Sequence, residues 1–369
     1  MASDIRILLL ADTHLGFDLP VRTRVARRRR GHDFLANYAT ALAPTLNGEV
    51  DVVVHGGDVF DRSSVAVSVA YQAFEPLRRV ADSGVPVFIV PGNHERSRMP
   101  HARFAVHRNI HIFQSPRTVI VDVRGTRIAL AGFPYERRNV RERFMGLLAE
   151  TKYRDESTRV RLLCIHHCVE GATVGPGNYT FTSADDVIRA RDLPRDVAGV
   201  FSGHIHRHQV LTTDLSRRSL DTPVLYPGSI ERTSLAEIDE PKGYMVVHVA
   251  ESEGDSEARW EFRQLPARPM IRKEIAVEEM NARQLESAIQ AMVAESPEDA
   301  VLSIRVTGVL ADEHWRALSA TRLRQYVPET MNVDIRPDGR FVSAPHAPRR
   351  VNEPPPRDDQ LSLQWTAHS

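Results

Sequence analysis

The chain has 369 residues, 42% of them hydrophobic, which suits two folded domains with a sizeable core. Its 48 basic and 48 acidic residues cancel, excluding a strong global field for nucleic acid and leaving only local patches. Two cysteines exclude a disulfide framework and fit a reducing cytoplasm, and no apolar run approaches the ~20 residues that span a bilayer.

The N-terminal stretch MASDIRILLLADTHLG lacks a basic start and a small-residue cleavage pattern, so residues 5–10 read as a buried first strand rather than a signal peptide. Residues 22–30 contain six arginines. Such a run is usually a solvated face; the sharper reading is a basic loop in which Arg27, Arg28, Arg29 and Arg30 touch phosphates. Residues 34–46 are predicted helical and lead into a strand at 52–54, ended by Gly56, Gly57 and Asp58. Ser63 or Ser64 is the expected cap of a helix whose apolar face runs through Val65, Val69, Phe74, Leu77 and Val80 to a stop at Gly84. A strand at 85–90 ends in Pro91-Gly92-Asn93-His94-Glu95. This alternation is α/β layering.

Residues 118–123 and 127–133 flank Arg124-Gly125-Thr126 as a hairpin. A helix is expected at 140–152 and a strand at 160–165 before His166-His167. The Gly/Thr-rich residues 171–182 are long enough for a functional loop. A short strand at 198–201 ends in Gly203-His204-Ile205-His206, and later strands at 223–226, 243–249 and 259–265 are expected to form a second sheet packed on the first. The composition then changes. Residues 266–269 read as a linker, Asn281 and Gln284 as a capping box, and a strand at 301–306, a helix at 312–326 and a strand at 332–335 before a Pro337-Asp338-Gly339 turn complete a small β-α-β-α-β domain. The expected division is 1–265, 266–342 and a Pro-rich disordered tail at 343–369.

Asp12-x-His14, Gly57-Asp58, Asn93-His94, His166-His167 and His204-x-His206 each follow a predicted strand. In open α/β sheets ligands bind beyond the carboxyl ends of strands. Carboxylate and amide oxygens mixed with imidazoles suit Mn, Fe or Zn, and the lack of suitable thiolates argues against a structural thiolate zinc site. Cys164 and Cys168 read as small buried hydrophobes, His55 as structural, and His101, His107 and His111 as lying beyond the active edge.

The ordered set resembles the calcineurin-like metallophosphoesterases, whose pattern is D-x-H, G-D, G-N-H, H and G-H-x-H, here spanning Asp12 to His206. Asp12-Thr13-His14-Leu15-Gly16, Gly57-Asp58-Val59-Phe60-Asp61, Pro227-Gly228-Ser229-Ile230-Glu231-Arg232-Thr233 and Lys242-Gly243-Tyr244 look like the SbcD-type DNA-repair exonucleases. The resemblance implies a layered sandwich of two mixed sheets flanked by helices, with a small α+β capping domain. It implies two divalent ions, manganese first, with iron or zinc as alternatives. One ion takes Asp12, His14 and His206; the other takes Asn93, His166 and His204; Asp58 bridges them. His167 is the alternative to His166, and His94 is the catalytic residue outside the ligand set. Asp61 either orients a histidine or caps a helix. Glu95 departs from the Asp more usual in the nuclease branch and is familiar from protein serine/threonine phosphatases, whose Gly-Asp-x-Val-Asp-Arg-Gly is absent here.

The resemblance therefore implies a DNA 3′ exonuclease and endonuclease in double-strand-break repair, cytoplasmic, homodimeric and paired with an SMC-like ABC ATPase, with Leu361, Leu363 and Trp365 as a docking motif or a mobile terminus. The competing readings are a phosphatase or phosphodiesterase for a small molecule, cyclic nucleotide or phosphoprotein, and a non-catalytic DNA-binding subunit.

Overall fold

The computed structural model describes residues 4–20, 27–155, 158, 160–251 and 256–338. Arg22, Arg24, Gly339 and the whole 343–369 segment lie outside the described residues. Two compact units partition the chain: Met1–Ile271 with Ser296–Leu302 and Pro328–Val333, and the remainder.

Continuous apolar runs build the first unit because its strands are covered on both faces. Its first sheet runs, edge to edge, Ser256–Gln264, Gly243–Glu251, Ile5–Leu10, Val52–His55, Val87–Ile89 and Ile110–Ile112. The last four strands are mutually parallel, and Gly243–Glu251 pairs antiparallel with Ile5–Leu10. The second sheet runs Gln209–Thr213, Ser219–Tyr226, Gly199–Ser202, Val160–Ile165, Thr126–Gly132 and Arg117–Val123. Its four inner strands are parallel and its edge strands antiparallel.

Alternation along Ile5–Leu10 sorts the core. Ile5, Ile7 and Leu9 join Phe88, Leu130, Leu162 and Phe201 in a layer between the two sheets. Leu8 and Leu10 face the other way, onto Phe34, Tyr38, Phe74 and Leu77 of helices Arg30–Leu46 and Val67–Asp82. Helix Val140–Glu150 covers the outer face of the second sheet through Val140, Phe144, Leu147 and Leu148. The result is the expected α/β sandwich of two mixed sheets flanked by helices.

Some local expectations are corrected. Gly243–Glu251 and Ser256–Gln264 join the first sheet, because Gly243–Glu251 pairs with Ile5–Leu10 and Ser256–Gln264 pairs with Gly243–Glu251. Helix Val67–Asp82 is preceded by Ala66, which supplies no side-chain cap, so neither Ser63 nor Ser64 holds its start. In the 266–269 stretch Pro266, Ala267 and Pro269 are exposed, whereas Arg268 is 8% exposed and donates to Asp33, Asp299, Thr330 and Asn332. The hairpin at Arg124-Gly125 forms as expected, with both residues at positive φ. The Gly/Thr-rich stretch folds into a miniature hairpin of Thr173–Val174 and Tyr179–Thr180.

The second unit holds helix Ala282–Ala294, started by the expected Asn281–Gln284 capping box and buried through Leu285, Ile289 and Val293. The single helix expected at 312–326 is two, Asp312–Ala317 and Ala320–Leu323, with Ser319 capping the second. A three-stranded sheet orders Met270–Ala276, Val301–Thr307 and Asn332–Asp338; Pro337 and Asp338 extend its last strand rather than turning. Among the described residues no helix is long and apolar enough to cross a membrane.

Candidate metal centre

Five loops converge at the carboxyl ends of the parallel strands. Ile5–Leu10 delivers Asp12 and His14, Val52–His55 delivers Asp58, and Val87–Ile89 delivers Asn93 and His94. Val160–Ile165 delivers His166, and Gly199–Ser202 delivers His204 and His206. Neighbouring backbones interlock these loops: Asp12 N–H donates to Gly57 O at 2.9 Å and His14 N–H to Asp58 O at 3.0 Å. Asp12, His14, Asp58 and His204 all sit at positive φ, between 42° and 80°. Backbone strain of this kind, about 1–3 kcal/mol per residue, persists only where surrounding structure enforces it. Two glycines are demanded by close approach. A Cβ on Gly57, itself at φ +107°, lies 2.3 Å from His166 Nδ1, and one on Gly92 lies 2.2 Å from Asp58 Oδ1.

The side chains fall into two groups joined by Asp58. In one, His14 Nε2 meets His206 Nε2 at 2.9 Å, and donor atoms of Asp12, His14 and His206 all lie within 4.8 Å of one another. In the other, Asn93 Oδ1 meets His166 Nε2 at 2.9 Å and His204 Nδ1 at 2.8 Å. Asp58 Oδ2 lies 3.3 Å from His166 Nε2, while its Oδ1 accepts the His94 backbone N–H at 2.9 Å.

The surroundings aim the nitrogens. His166 Nδ1 faces the Gly56 carbonyl at 2.7 Å, so it carries a proton and the ring aims Nε2 at Asp58 and Asn93. His206 Nδ1 faces the Glu237 carboxylate at 3.3 Å, which turns its Nε2 toward His14. Burial opposes charge on His166, but the Asp58 carboxylate prevails and pushes the ring up to about 9. Burial and the neighbouring His166 charge hold His204 down at about 3. Asp12 Oδ2 and His14 Nδ1 are buried without a hydrogen-bond partner among the described residues. Convergent ring nitrogens and an unpartnered buried carboxylate oxygen fit cations as their missing partners.

His94 lies beside this cluster, its side chain 36% exposed, with Nε2 3.9 Å from Asp58 Oδ2. Its Nδ1 donates to the main-chain carbonyl of Asp61 at 2.6 Å. Asp61 thus meets a histidine through its backbone; its carboxylate pairs with Arg62, and it caps no helix. His167 is turned away: its ring stacks on Tyr135 with centroids 4.9 Å apart and accepts the Glu136 N–H at 2.9 Å. Cys164 and Cys168 are buried free thiols, both pushed well above the ordinary thiol range by burial and inert on that account. His55 is buried against Thr13, His101 meets the Val65 carbonyl, His107 faces Asp82 and His111 stacks on Phe88.

Within the basic run, Arg27 to Arg30 are tied to the protein's own acceptors. Arg27 donates to Pro328 O at 3.0 Å, Arg28 to Asp33 at 2.6 Å, Arg29 to Asp18, and Arg30 to Arg232 O with Glu231 at 3.7 Å. Two acids were missed as site residues. Glu95 is 2% exposed and accepts Phe60 N–H at 2.8 Å and Gly92 N–H at 2.7 Å, clamping the Asp58 and Asn93 loops together. Burial, then the charge of Asp58, pushes it up to about 8. Glu237 holds His206 and is itself met by Lys242 at 2.6 Å and Thr233 at 2.6 Å. The only sequence signal for this network is its proximity to the PGSIERT and KGY stretches.

A family model for calcineurin-like phosphoesterases matches residues 5–208, and the chain belongs to that family. It is 23% identical over 301 residues to the uncharacterized metallophosphoesterase YhaO of Bacillus subtilis, covering 79% of this chain and 67% of that protein. It is 27% identical over 304 residues to the DNA double-strand break repair protein Mre11 of Methanosarcina acetivorans, covering 82% of this chain and 45% of that protein. The SbcD component of the nuclease SbcCD of Bacillus subtilis is 25% identical over 283 residues, with 70% of this chain and 68% of that protein covered. The chain thus spans about half the length of that archaeal relative and two thirds of the bacterial ones. Family and centre together make this protein a metal-dependent phosphoesterase.

Proposed function

We propose that the protein hydrolyses DNA phosphodiester bonds, as a 3′ exonuclease and endonuclease in double-strand-break repair. The observation that carries this reading is the convergence of seven donor side chains on two centres that share Asp58, with His94 alongside. Its similarity to Mre11 and SbcD proteins points the same chemistry at DNA. We assign one divalent ion to Asp12, His14 and His206, the other to Asn93, His166 and His204, and the bridge to Asp58, with manganese the first choice over iron or zinc. When bound, the two ions supply Lewis acidity to the scissile phosphate and to the attacking water.

The chain's own residues do the rest. Asp58 and Asn93 fix the centre while Glu95 holds their loops in register. His94, with Nδ1 committed to the Asp61 carbonyl, uses Nε2 to deliver a proton to the leaving sugar oxygen, a contribution of about 10²–10⁴-fold. Homodimerisation and an SMC-like ABC ATPase partner are part of the same proposal, on the resemblance of the chain's motifs to the SbcD-type exonucleases, and a cytoplasmic location is proposed from its two free thiols. Arg27 to Arg30 are secondary candidates for phosphate contact, since each first has to leave an internal acceptor.

The test is cleavage of end-labelled linear duplex DNA and of bis(p-nitrophenyl) phosphate with Mn²⁺, by wild type and His94→Ala. Both substrates are expected to be cleaved, and DNA cleavage to fall by at least about 10²-fold in the variant. Ester cleavage with no cleavage of duplex, tailed or single-stranded DNA supports instead a phosphodiesterase for a small substrate.

A further inference from the structure

A cavity of about 690 Å³ adjoins the metal centre, with Ser97, Gln114, Tyr135, Arg137, Arg138 and Arg143 in its wall. Tyr135 belongs to both places. Its ring centroid is 5.6 Å from that of His204 and 6.0 Å from that of His166, and it is half-buried. The main chain holds it in register with the His94 loop: Tyr135 N–H donates to Pro91 O at 2.8 Å, and Ser97 Oγ donates to Tyr135 O at 2.5 Å. The cavity therefore begins at a fixed position relative to His94, the residue placed next to the scissile bond.

The charge of the wall is specific. Arg143 is paired with Glu136, and Glu150 adds a second carboxylate to the lining. Arg137 and Arg138 are exposed, and neither guanidinium has a carboxylate partner among the described residues. His167 covers one face of the Tyr135 ring, and the half-buried ring followed by two guanidiniums without carboxylate partners matches a base followed by a backbone phosphate.

We infer that this cavity is the subsite for the nucleotide next to the scissile phosphate, with Tyr135 as the stacking platform and Arg137 and Arg138 holding the following phosphate. This rests on the nuclease reading and sharpens it, because a phosphomonoester has nothing to place there. The site takes single-stranded nucleic acid at the point of cleavage.

The experiment compares wild type, Tyr135→Ala, Tyr135→Phe and Arg137→Ser/Arg138→Ser. Binding of fluorescein-labelled oligothymidylate is read by anisotropy across a salt series, alongside Mn²⁺-dependent steady-state cleavage of the same oligonucleotide. Tyr135→Ala is expected to weaken binding about 5–150-fold and Tyr135→Phe to restore it, since the ring face does the work. The double arginine variant is expected to flatten the slope of log Kd against log salt by about 0.7, for the one phosphate the pair holds. Its cleavage defect should lie in KM rather than kcat. Unchanged binding and salt slope in variants of an enzyme whose wild type cleaves the oligonucleotide overturns the subsite alone. A wild type that cleaves bis(p-nitrophenyl) phosphate but no oligonucleotide overturns the subsite together with the nuclease reading.

Discussion

Single side chains outside the proposed ligand set decide how well it is formed. Glu237 orients His206 and is in turn neutralised by Lys242, which is 1% exposed. Partners of this kind are worth about 10–100-fold in metal affinity. Glu237→Gln is therefore expected to weaken Mn²⁺ binding by that factor, measured by competition with a chromophoric chelator; unchanged affinity refutes the role. Glu95 is a clamp rather than a ligand. Its replacement by Ala strands the buried N–H groups of Phe60 and Gly92, at a cost of about 2–5 kcal/mol in urea unfolding.

The strand ends act as units. Because a Cβ on Gly92 meets Asp58 Oδ1 at 2.2 Å, Gly92→Ala is expected to abolish binding at the shared position while leaving the far-ultraviolet circular dichroism unchanged. At the opposite end of the strands, Asp51 joins Val52–His55 to Ile5–Leu10 by accepting from Arg6 N–H at 2.9 Å and from its guanidinium at 2.9 Å and 3.1 Å. Burial raises the Asp51 carboxyl, but the bonds from Arg6 prevail and hold it below its ordinary range. A depressed carboxylate stabilises fully above its unfolded value, near pH 4, and loses that contribution as pH falls through the folded value. Asp51→Asn should thus cost about 0.5–1 kcal/mol at pH 7, and the gap to wild type in melting temperature should close on acidification.

At the scale of the whole chain, one buried cation joins distant segments. Arg268 donates to Asp33 at 2.8 Å, Asp299 O at 3.0 Å and Thr330 O at 2.7 Å, and to Asn332 Oδ1, all within the first unit. Segments 296–302 and 328–333 therefore belong with the phosphoesterase core, although they follow it in the chain. Arg268→Ala leaves buried acceptors unpaired, and is expected to lower the unfolding free energy by about 3–5 kcal/mol. A shift in the urea midpoint equivalent to less than about 1 kcal/mol would contradict that role.

Much of the architecture was legible because it rests on local chemistry. Apolar runs such as Ile5–Leu10 and Val160–Ile165 encode strands buried on two faces, and each ends in residues able to bind or turn. Those polar endings, from Asp12 to His206, come together because parallel strands place their carboxyl ends on one edge. Strand partnership was not legible. Gly243–Glu251 alternates as well for either sheet, and only the open edge of Ile5–Leu10 decides where it pairs. Ring direction was equally hidden. His166 and His167 are adjacent and chemically identical, and the Gly56 carbonyl turns one inward while Tyr135 stacks on the other. By itself the sequence determined which groups are present and the elements that end at them. The tertiary structure decided which nitrogen faces which oxygen, because those contacts join residues up to 192 positions apart.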